Sequence, residues 1–291
     1  MPEQWTILKL IKWTADYLSK KGIHTARLDA ELMLAYLLKT DRTRLYMNFD
    51  QPLNKDELSS FKKLLERRAR HEPLQYITAC QEFWSLPFKV SPSVLIPRPE
   101  TELLVEESIR ELGKSFPEGE SIEILDIGTG SGALAAALAS EIKGVKVTGV
   151  DISHEAAKIA RENIETNKLS SSVIILEGDL FEPVKDKNFH LIVSNPPYIP
   201  HGDLKSLQPE VAGFEPLSAL DGGGDGLDYY RRIIPESSKH LVPGGWLMLE
   251  HGIGQSGEII SIFKETGVFA DIESINDFAG IDRVVKGRLK E

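Results

Sequence analysis

Residues 123–139, EILDIGTGSGALAAALA, constrain this chain more than any other stretch. An apolar strand candidate runs into Gly128, Gly130 and Gly132 and passes straight into an alanine-rich helix. Glycines at this spacing let the backbone turn sharply and approach a ligand that a Cβ would exclude, and the helix N-terminus beyond them offers unpaired N–H groups. Strand, tight turn and helix in that order open a parallel α/β sheet with a cofactor loop. After Pro99 the pattern continues, with apolar strand candidates at 122–127, 145–151, 173–177, 189–194 and 245–250 separated by helical stretches. The end departs from it: VFADIESI and DRVVKGRL, joined by NDFAGI, suit an antiparallel pair.

The front of the chain reads differently. Residues 4–22 put Trp5, Leu8, Ile11, Ala15 and Leu18 on one helical face, with Gly22 at the C-terminal cap, and residues 25–39 repeat the theme with Leu28, Leu32, Ala35 and Leu38. A third helix is predicted after Asn54, capped with Glu57 and carrying Leu58, Phe61, Leu64 and Leu65 inward. The β-branched and aromatic residues of LQYITACQEFWSLPFKV, 74–90, predict a hairpin. The expected organisation is a helical domain over 1–73, a β-hairpin linker over 74–92 and a catalytic α/β domain over 93–291.

Composition narrows the function. Residues 1–90 hold fifteen Lys/Arg against eleven Asp/Glu, a balance of +4, which leaves −14 for the remainder of a chain of net charge −10. An acidic catalytic part argues against stable binding of long nucleic acid, whose phosphates need clustered cations. The single cysteine, Cys80, excludes an intrachain disulfide, and the seven histidines show no metal-ligand spacing, so no metal is expected. With no run of eighteen apolar residues and an N-terminus unlike a secretory signal, the expectation is a cytoplasmic protein without membrane association.

The loop's glycines do not by themselves name the ligand. With Ala133 the run also satisfies the G-x-G-x-x-G/A dinucleotide fingerprint, and Asp151 stands where an acid that holds ribose hydroxyls belongs in either case. Asp126, just before the first glycine, favours a methyl donor that carries an amino-acid ammonium, although a helix-capping aspartate is the plain alternative. Asp179 suits the exocyclic amine of adenine and the Leu180 backbone N–H a ring nitrogen. Gly128, Thr129, Gly130, Ser131 and Gly132 complete the predicted cofactor set.

The reacting site is read from VSNPPYIP, 193–200, directly after the fourth strand. Asn195, Pro196, Pro197 and Tyr198 would sit at the carboxyl edge of the sheet beside the cofactor. The Pro196 carbonyl and the Asn195 amide oxygen can accept the two hydrogens of a planar –NH₂ group, and Tyr198 offers a ring on which that group can stack. A delocalised nitrogen is a poor nucleophile, so such a site must orient and desolvate it. The DGGGDG loop, 221–226, is expected to cover or border this site.

An NPPY tetrapeptide in this setting belongs to methyltransferases acting on amino groups in plane with a π-system, whether adenine or guanine in RNA or DNA or glutamine in protein. The surrounding text, PLQYITACQEFWSLPFKV, VLIPRPETE, FEPLSALDGGGDGLDYYRRI, LVPGGWLMLEHG and DFAGIDRVVKGR, resembles the release factor glutamine methyltransferases, the HemK/PrmC family, over nearly the whole chain. The resemblance implies a class I S-adenosylmethionine-dependent methyltransferase fold, Rossmann-like and mostly parallel with an antiparallel C-terminal strand, behind a small N-terminal helical bundle. It implies methylation of the GGQ glutamine of class 1 peptide chain release factors. By that resemblance Gly128 to Gly132, Asp151, Leu180 and Asn195 contact S-adenosylmethionine, and Asn195 to Tyr198 hold the glutamine. Ala79 stands where the family often has Gly, and Leu180 where it often has an aromatic residue. Arg98 and Glu100 are expected either to orient the NPPY loop or the substrate, or to lock the linker to the sheet. The rival readings are an amino-methyltransferase for adenine or guanine, which predicts a basic channel, and a nonenzymatic S-adenosylmethionine-binding regulator, which predicts loss of the acceptors around Asn195.

Overall fold

The computed structural model describes residues 4–117 and 119–291, so the first three residues of the expected helical domain lie outside the described residues. The chain divides into two compact units, Met1–Ala79 with Gln208–Phe214, and Cys80–Leu207 with Glu215–Glu291.

The first unit contains α1 (Ile7–Ser19), α2 (Ala26–Leu38), α3 (Arg42–Met47), α4 (Lys55–Arg68) and α5 (Leu74–Thr78), together with the short helix Pro209–Phe214. The predicted cap of α4 is present: Asn54 Oδ1 accepts from the Glu57 amide at 2.9 Å and Glu57 returns an acceptor to the Asn54 amide at 2.8 Å. The inward faces differ from expectation. Trp5 and Leu28 are exposed, whereas Ile7, Leu10, Ile11 and Leu18 of α1 and Ala30, Met33 and Leu34 of α2 form the core. α2 packs against both α1 and α4 and so buries two faces, including Asp29 and Glu31. A single apolar stripe could not reveal that. The structure also corrects 74–78, which is helix rather than strand. Ala79 ends that helix in the left-handed region at φ 55°, a cap position that favours glycine because it has no Cβ.

The second unit starts with the hairpin β1 (Cys80–Phe83) and β2 (Leu86–Lys89). There follow α6 (Glu102–Ser115), β3 (Glu123–Ile127), α7 (Ala133–Glu141), β4 (Lys146–Asp151), α8 (His154–Thr166), β5 (Val173–Glu177) and β6 (Phe189–Ser194). After the helix Pro209–Phe214, α9 in chain order, come α10 (Asp228–Ser237), β7 (Leu241–Glu250), α11 (Ser256–Thr266), β8 (Phe269–Asn276) and β9 (Asp282–Leu289). The strands form a seven-stranded sheet in the order β5-β4-β3-β6-β7-β9-β8, parallel from β5 to β7, with β9 antiparallel to both its neighbours.

Strand alternation sends Ile124 and Leu191 to one face, against Leu104 and Leu134, and Leu125 and Ile192 to the other, against Tyr230 and Phe263. Helices therefore cover both faces, and α7 is buried on every side from Ala133 to Leu138, as its near-uniform apolar sequence requires. The sheet order reverses between β3 and β6: the chain leaves β3 toward β4 and returns to the other side of it at β6. In open α/β sheets that reversal leaves a crevice at the carboxyl ends of the two strands.

Candidate active site

The crevice is a cavity open to solvent on one side, and all of its lining belongs to the second unit. One wall is the glycine loop. Gly128 and Thr129 N–H groups both donate to Val150 O, at 2.8 and 3.0 Å, which folds the loop back over the end of β4. Asp151 continues the clasp, its Oδ2 accepting from Gly130 N at 2.8 Å and its Oδ1 from Ser153 N at 2.9 Å. Burial raises the Asp151 pKa, and those two N–H groups only partly offset it. A Cβ built on Gly128 would meet nothing within 4 Å, so the loop presents a bare backbone edge where it lines the cavity.

Asp126 lies beneath the loop, 1% exposed, accepting from Thr129 Oγ1 at 2.6 Å. Burial pushes its carboxyl up to about 7; the Thr129 hydroxyl and the Ala135 N–H pull it back, and the nearby Asp151 adds to the rise. It thus caps α7, the plain alternative that the sequence allowed, while also lining the cavity. Ser131 lines it too, and its carbonyl accepts from Asn163 Nδ2 at 2.8 Å. Gly132 stands one step back as the left-handed N-cap of α7, outside the lining. Asp179 and Leu180 reach the cavity from the turn after β5. Asp179 is bonded to Arg232 of α10, and Leu180 holds φ 49°.

The opposite wall is the segment after β6. Ser194 Oγ donates to Ile127 O at 2.7 Å, tying the ends of β6 and β3 together immediately before Asn195, Pro196 and Pro197 line the cavity. Asn195 Nδ2 donates to Thr101 Oγ1 at 3.1 Å, which leaves the amide Oδ1 as the end free to accept elsewhere. Tyr198 does not line the cavity; its ring packs toward the core that holds Tyr230, and burial raises its phenol to about 12.

The contacts that hold this wall were not specified by the sequence, although the DGGGDG loop and Arg98 were expected near it. The DGGGDG loop is strapped to it backbone to backbone: Ile199 N donates to Leu220 O at 3.0 Å, Gly222 N to Ile199 O at 2.9 Å and His201 N to Gly223 O at 2.8 Å. A Cβ on Gly226 would lie 2.3 Å from Tyr198 O, so only glycine permits the approach. Gln255 Nε2 donates to the same Tyr198 carbonyl at 2.9 Å. Arg98 lines the cavity and bonds the buried Glu215 at 2.5 Å, so the IPRPETE segment is fastened to the stretch that precedes the DGGGDG loop. The close run of glycines was the one available signal for this strap; nothing in the sequence marked Gln255 or Glu215.

Residues 9–78 match the PrmC N-terminal domain and residues 102–208 the methyltransferase small domain. The release factor glutamine methyltransferase of Geobacter sulfurreducens is 50% identical over 288 residues, covering 99% of this chain and 98% of that protein. The protein of the same name from Vibrio cholerae is 42% identical over 286 residues, covering 98% and 97%. Among solved structures, a methyltransferase from Pyrococcus furiosus is similar in fold, with a TM-score of 0.51 at 23% identity, over 78% of this chain and 99% of that one. Among the described residues no helix is long and apolar enough to cross a membrane, and no group of His, Cys, Asp and Glu could hold a metal ion.

Proposed function

The chain belongs to the release factor glutamine methyltransferase family and is an S-adenosylmethionine-dependent methyltransferase, and we propose that its cavity methylates the side-chain amide nitrogen, N5, of the GGQ glutamine in class 1 peptide chain release factors. The observation that carries this reading is that Asn195 to Pro197 line the same cavity as the glycine loop and Asp151.

The residues present fit the cofactor. Asp126 is a buried carboxylate on the cavity wall with no ion pair among the described residues, a natural counter-charge for an amino-acid ammonium. Gly128 leaves room for close approach, Asp151 keeps acceptor capacity for ribose hydroxyls, and Asp179 and Leu180, which line the same cavity, would read adenine. When bound, S-adenosylmethionine supplies a methyl group on a sulfonium, an electrophile. The chain's own task is then to aim a poor nucleophile. Asn195 Oδ1 and the Pro196 carbonyl accept the two amide hydrogens, which fixes the plane of the –CONH₂ group and turns the nitrogen face toward the methyl. The proton displaced on methylation leaves to water, so no strong base is needed. Tyr198 contributes by buttressing the loop through its partly buried ring and its carbonyl.

A glutamine on a loop offers too few atoms to single out one protein, so specificity needs a second surface. The helical domain, residues 1–73, with its mild positive balance, is assigned that role. The test is incubation with methyl-labelled cofactor and an intact release factor, followed by mapping of the modified residue, beside a chain beginning at Cys80 whose cofactor affinity is measured on the same preparation. Label on the GGQ glutamine is expected, with a much lower kcat/KM for the truncated chain. Label on a nucleic acid instead, or an undiminished kcat/KM, overturns the substrate or the recognition role respectively.

A further inference from the structure

We propose that Glu250 and Thr101 are positioning residues that decide which end of the Asn195 side-chain amide faces the cavity. The proposal rests on the reading above, in which the Asn195 oxygen accepts from the substrate amide.

The topology brings the three residues together. β7 runs parallel to β6 with Ser194 opposite Leu249, so Glu250 and Asn195 leave their strands side by side. Thr101, buried at the entrance to α6, accepts from Asn195 Nδ2 at 3.1 Å. A hydroxyl that accepts from the amide keeps its own proton for another acceptor, and the Glu250 carboxylate is the one it faces, as the Asn195 amide does. Glu250 is 3% exposed, its Oε2 has no hydrogen-bond partner, and it forms no ion pair among the described residues. Nothing in the core of the sheet requires an acid there; an apolar residue would spare the desolvation.

An ionised Glu250 only accepts. Thr101 must then donate to it, and Asn195 must turn its NH₂ inward and its oxygen toward the cavity. A protonated Glu250 can donate instead, to Thr101 or to the Asn195 oxygen, and the amide is then free to flip and present a donor to a donor. Burial pushes the Glu250 carboxyl up to about 7, with Thr101 opposing, the field of Glu100 adding to the rise, and Arg283 and Asn195 opposing. The other groups around it are Tyr198 and Tyr230, whose phenols are raised by burial and by this carboxylate, and His251, whose burial lowers its pKa. Tyr230 donates to the Glu250 backbone carbonyl at 2.7 Å, not to the carboxylate. Ionisation of Glu250 therefore switches the Asn195 amide from mobile to locked as pH rises through neutrality.

The experiment uses the full chain, with the Asn195 side-chain ¹⁵N resonance assigned by its loss in Asn195→Ala. In the wild type that resonance is expected to titrate near neutral pH, and kcat on the release factor to fall on the acid side with the same midpoint. Glu250→Gln should abolish both titrations and lower plateau kcat by roughly 10–100-fold, the loss of a charge-assisted orientation, while cofactor affinity stays as in the wild type. An Asn195 resonance indifferent to pH, or a Glu250→Gln chain that keeps the acid limb, overturns the proposal. Should Glu250→Gln fail to bind cofactor, Thr101→Val and Thr101→Ser decide: Val must lose kcat and Ser restore it, and equal activity of the two overturns the proposal. A chain that methylates no glutamine refutes the substrate reading alone, because the resonance arm still reports on the amide.

Discussion

The helical unit and the strand ends around the cavity bury charge in opposite ways. In the helical unit Arg68, 2% exposed, lies between Asp29 and Glu210, each at 2.6 Å, and the buried Glu31 receives Arg27, Arg42 and Tyr46. Burial alone would raise Glu31, but hydrogen bonds from Tyr46, Arg42 and Arg27 outweigh it and hold the carboxyl below its ordinary value. The catalytic unit follows the same rule away from the cavity. Lys286, buried in β9, is met by Glu107, Glu111 and Glu273, and Glu111, despite burial, is drawn down to about 2 by Lys286, Lys114 and Arg110. On the cavity wall and just behind it the rule fails: Asp126, which lines the cavity, and Glu250, which faces Thr101 and Asn195, are buried carboxyls that no cation pairs among the described residues, each raised to about 7. Paired buried charges hold the fold, and unpaired ones mark where a ligand or a catalytic geometry supplies what is missing.

The sharpest test removes one partner from the paired side. Arg68→Met strands Asp29 and Glu210 and is expected to cost about 3–5 kcal/mol of stability by denaturant titration, with the affinity for S-adenosylmethionine unchanged in the folded fraction. A mild loss would mean that the helical unit does not depend on its ion network.

On the unpaired side, Asn195→Ala removes the acceptor proposed for the substrate amide. Turnover should drop roughly 10²–10³-fold at saturating cofactor, while the melting temperature barely moves. Near-normal turnover would take Asn195 out of the orienting role.

Asp126→Asn should separate function from stability by sign. At pH 8 the ligand-free protein gains on the order of 2–4 kcal/mol, because a buried unpaired charge becomes a neutral amide, yet cofactor binding weakens. A variant that is both less stable and unimpaired in binding would show that capping α7 is the whole role of this residue.

The smallest effect is a slope. Asp126 and Glu250 keep their protons in the folded, ligand-free chain up to about pH 7. The unfolded chain releases them near the ordinary carboxylate values of about 4. Between those limits the unfolded state binds fewer protons, so their contribution is full below about pH 4 and is lost as pH rises through 7. Glu111, drawn down to about 2, acts oppositely: its contribution is present above the ordinary carboxylate range and is lost only as pH falls toward 2. Melting curves across the neutral range should show stability falling with rising pH, with a shallower slope in Asp126→Asn. A rising slope would contradict the two raised values.

Much of the fold was legible because its signals are local. Strand candidates at 173–177 and 189–194 match β5 and β6, and the antiparallel pair at the end is β8 with β9. What misled was packing. The period of α2 gave one apolar face, but its charged Asp29 and Glu31 are buried because partners reach them from other helices, Arg68 from α4 and Arg42 from α3, beside Arg27 one turn away on α2 itself. Residues 74–78 carry strand-like composition yet close a helical turn, where tertiary burial of Leu74, Tyr76 and Ile77 overrides propensity.

The sequence by itself determined the alternation of strands and helices after Pro99, the glycine turn at Gly128–Gly132 and the Asn195–Pro197 segment that follows β6, since each depends on spacing within a few residues of chain. Only the tertiary structure decided that Tyr198 turns from the cavity into the core, that Gly222 and Gly226 strap the NPPY segment, and that Thr101, Asn195 and Glu250 meet. Those contacts join residues from about 25 positions apart, in the strap, to more than 90 between Thr101 and its partners, and β6 comes to lie between β3 and β7 only once the sheet has assembled. No local pattern carries that information, because the physical cause is the register of parallel strands and not the chemistry of neighbours in sequence.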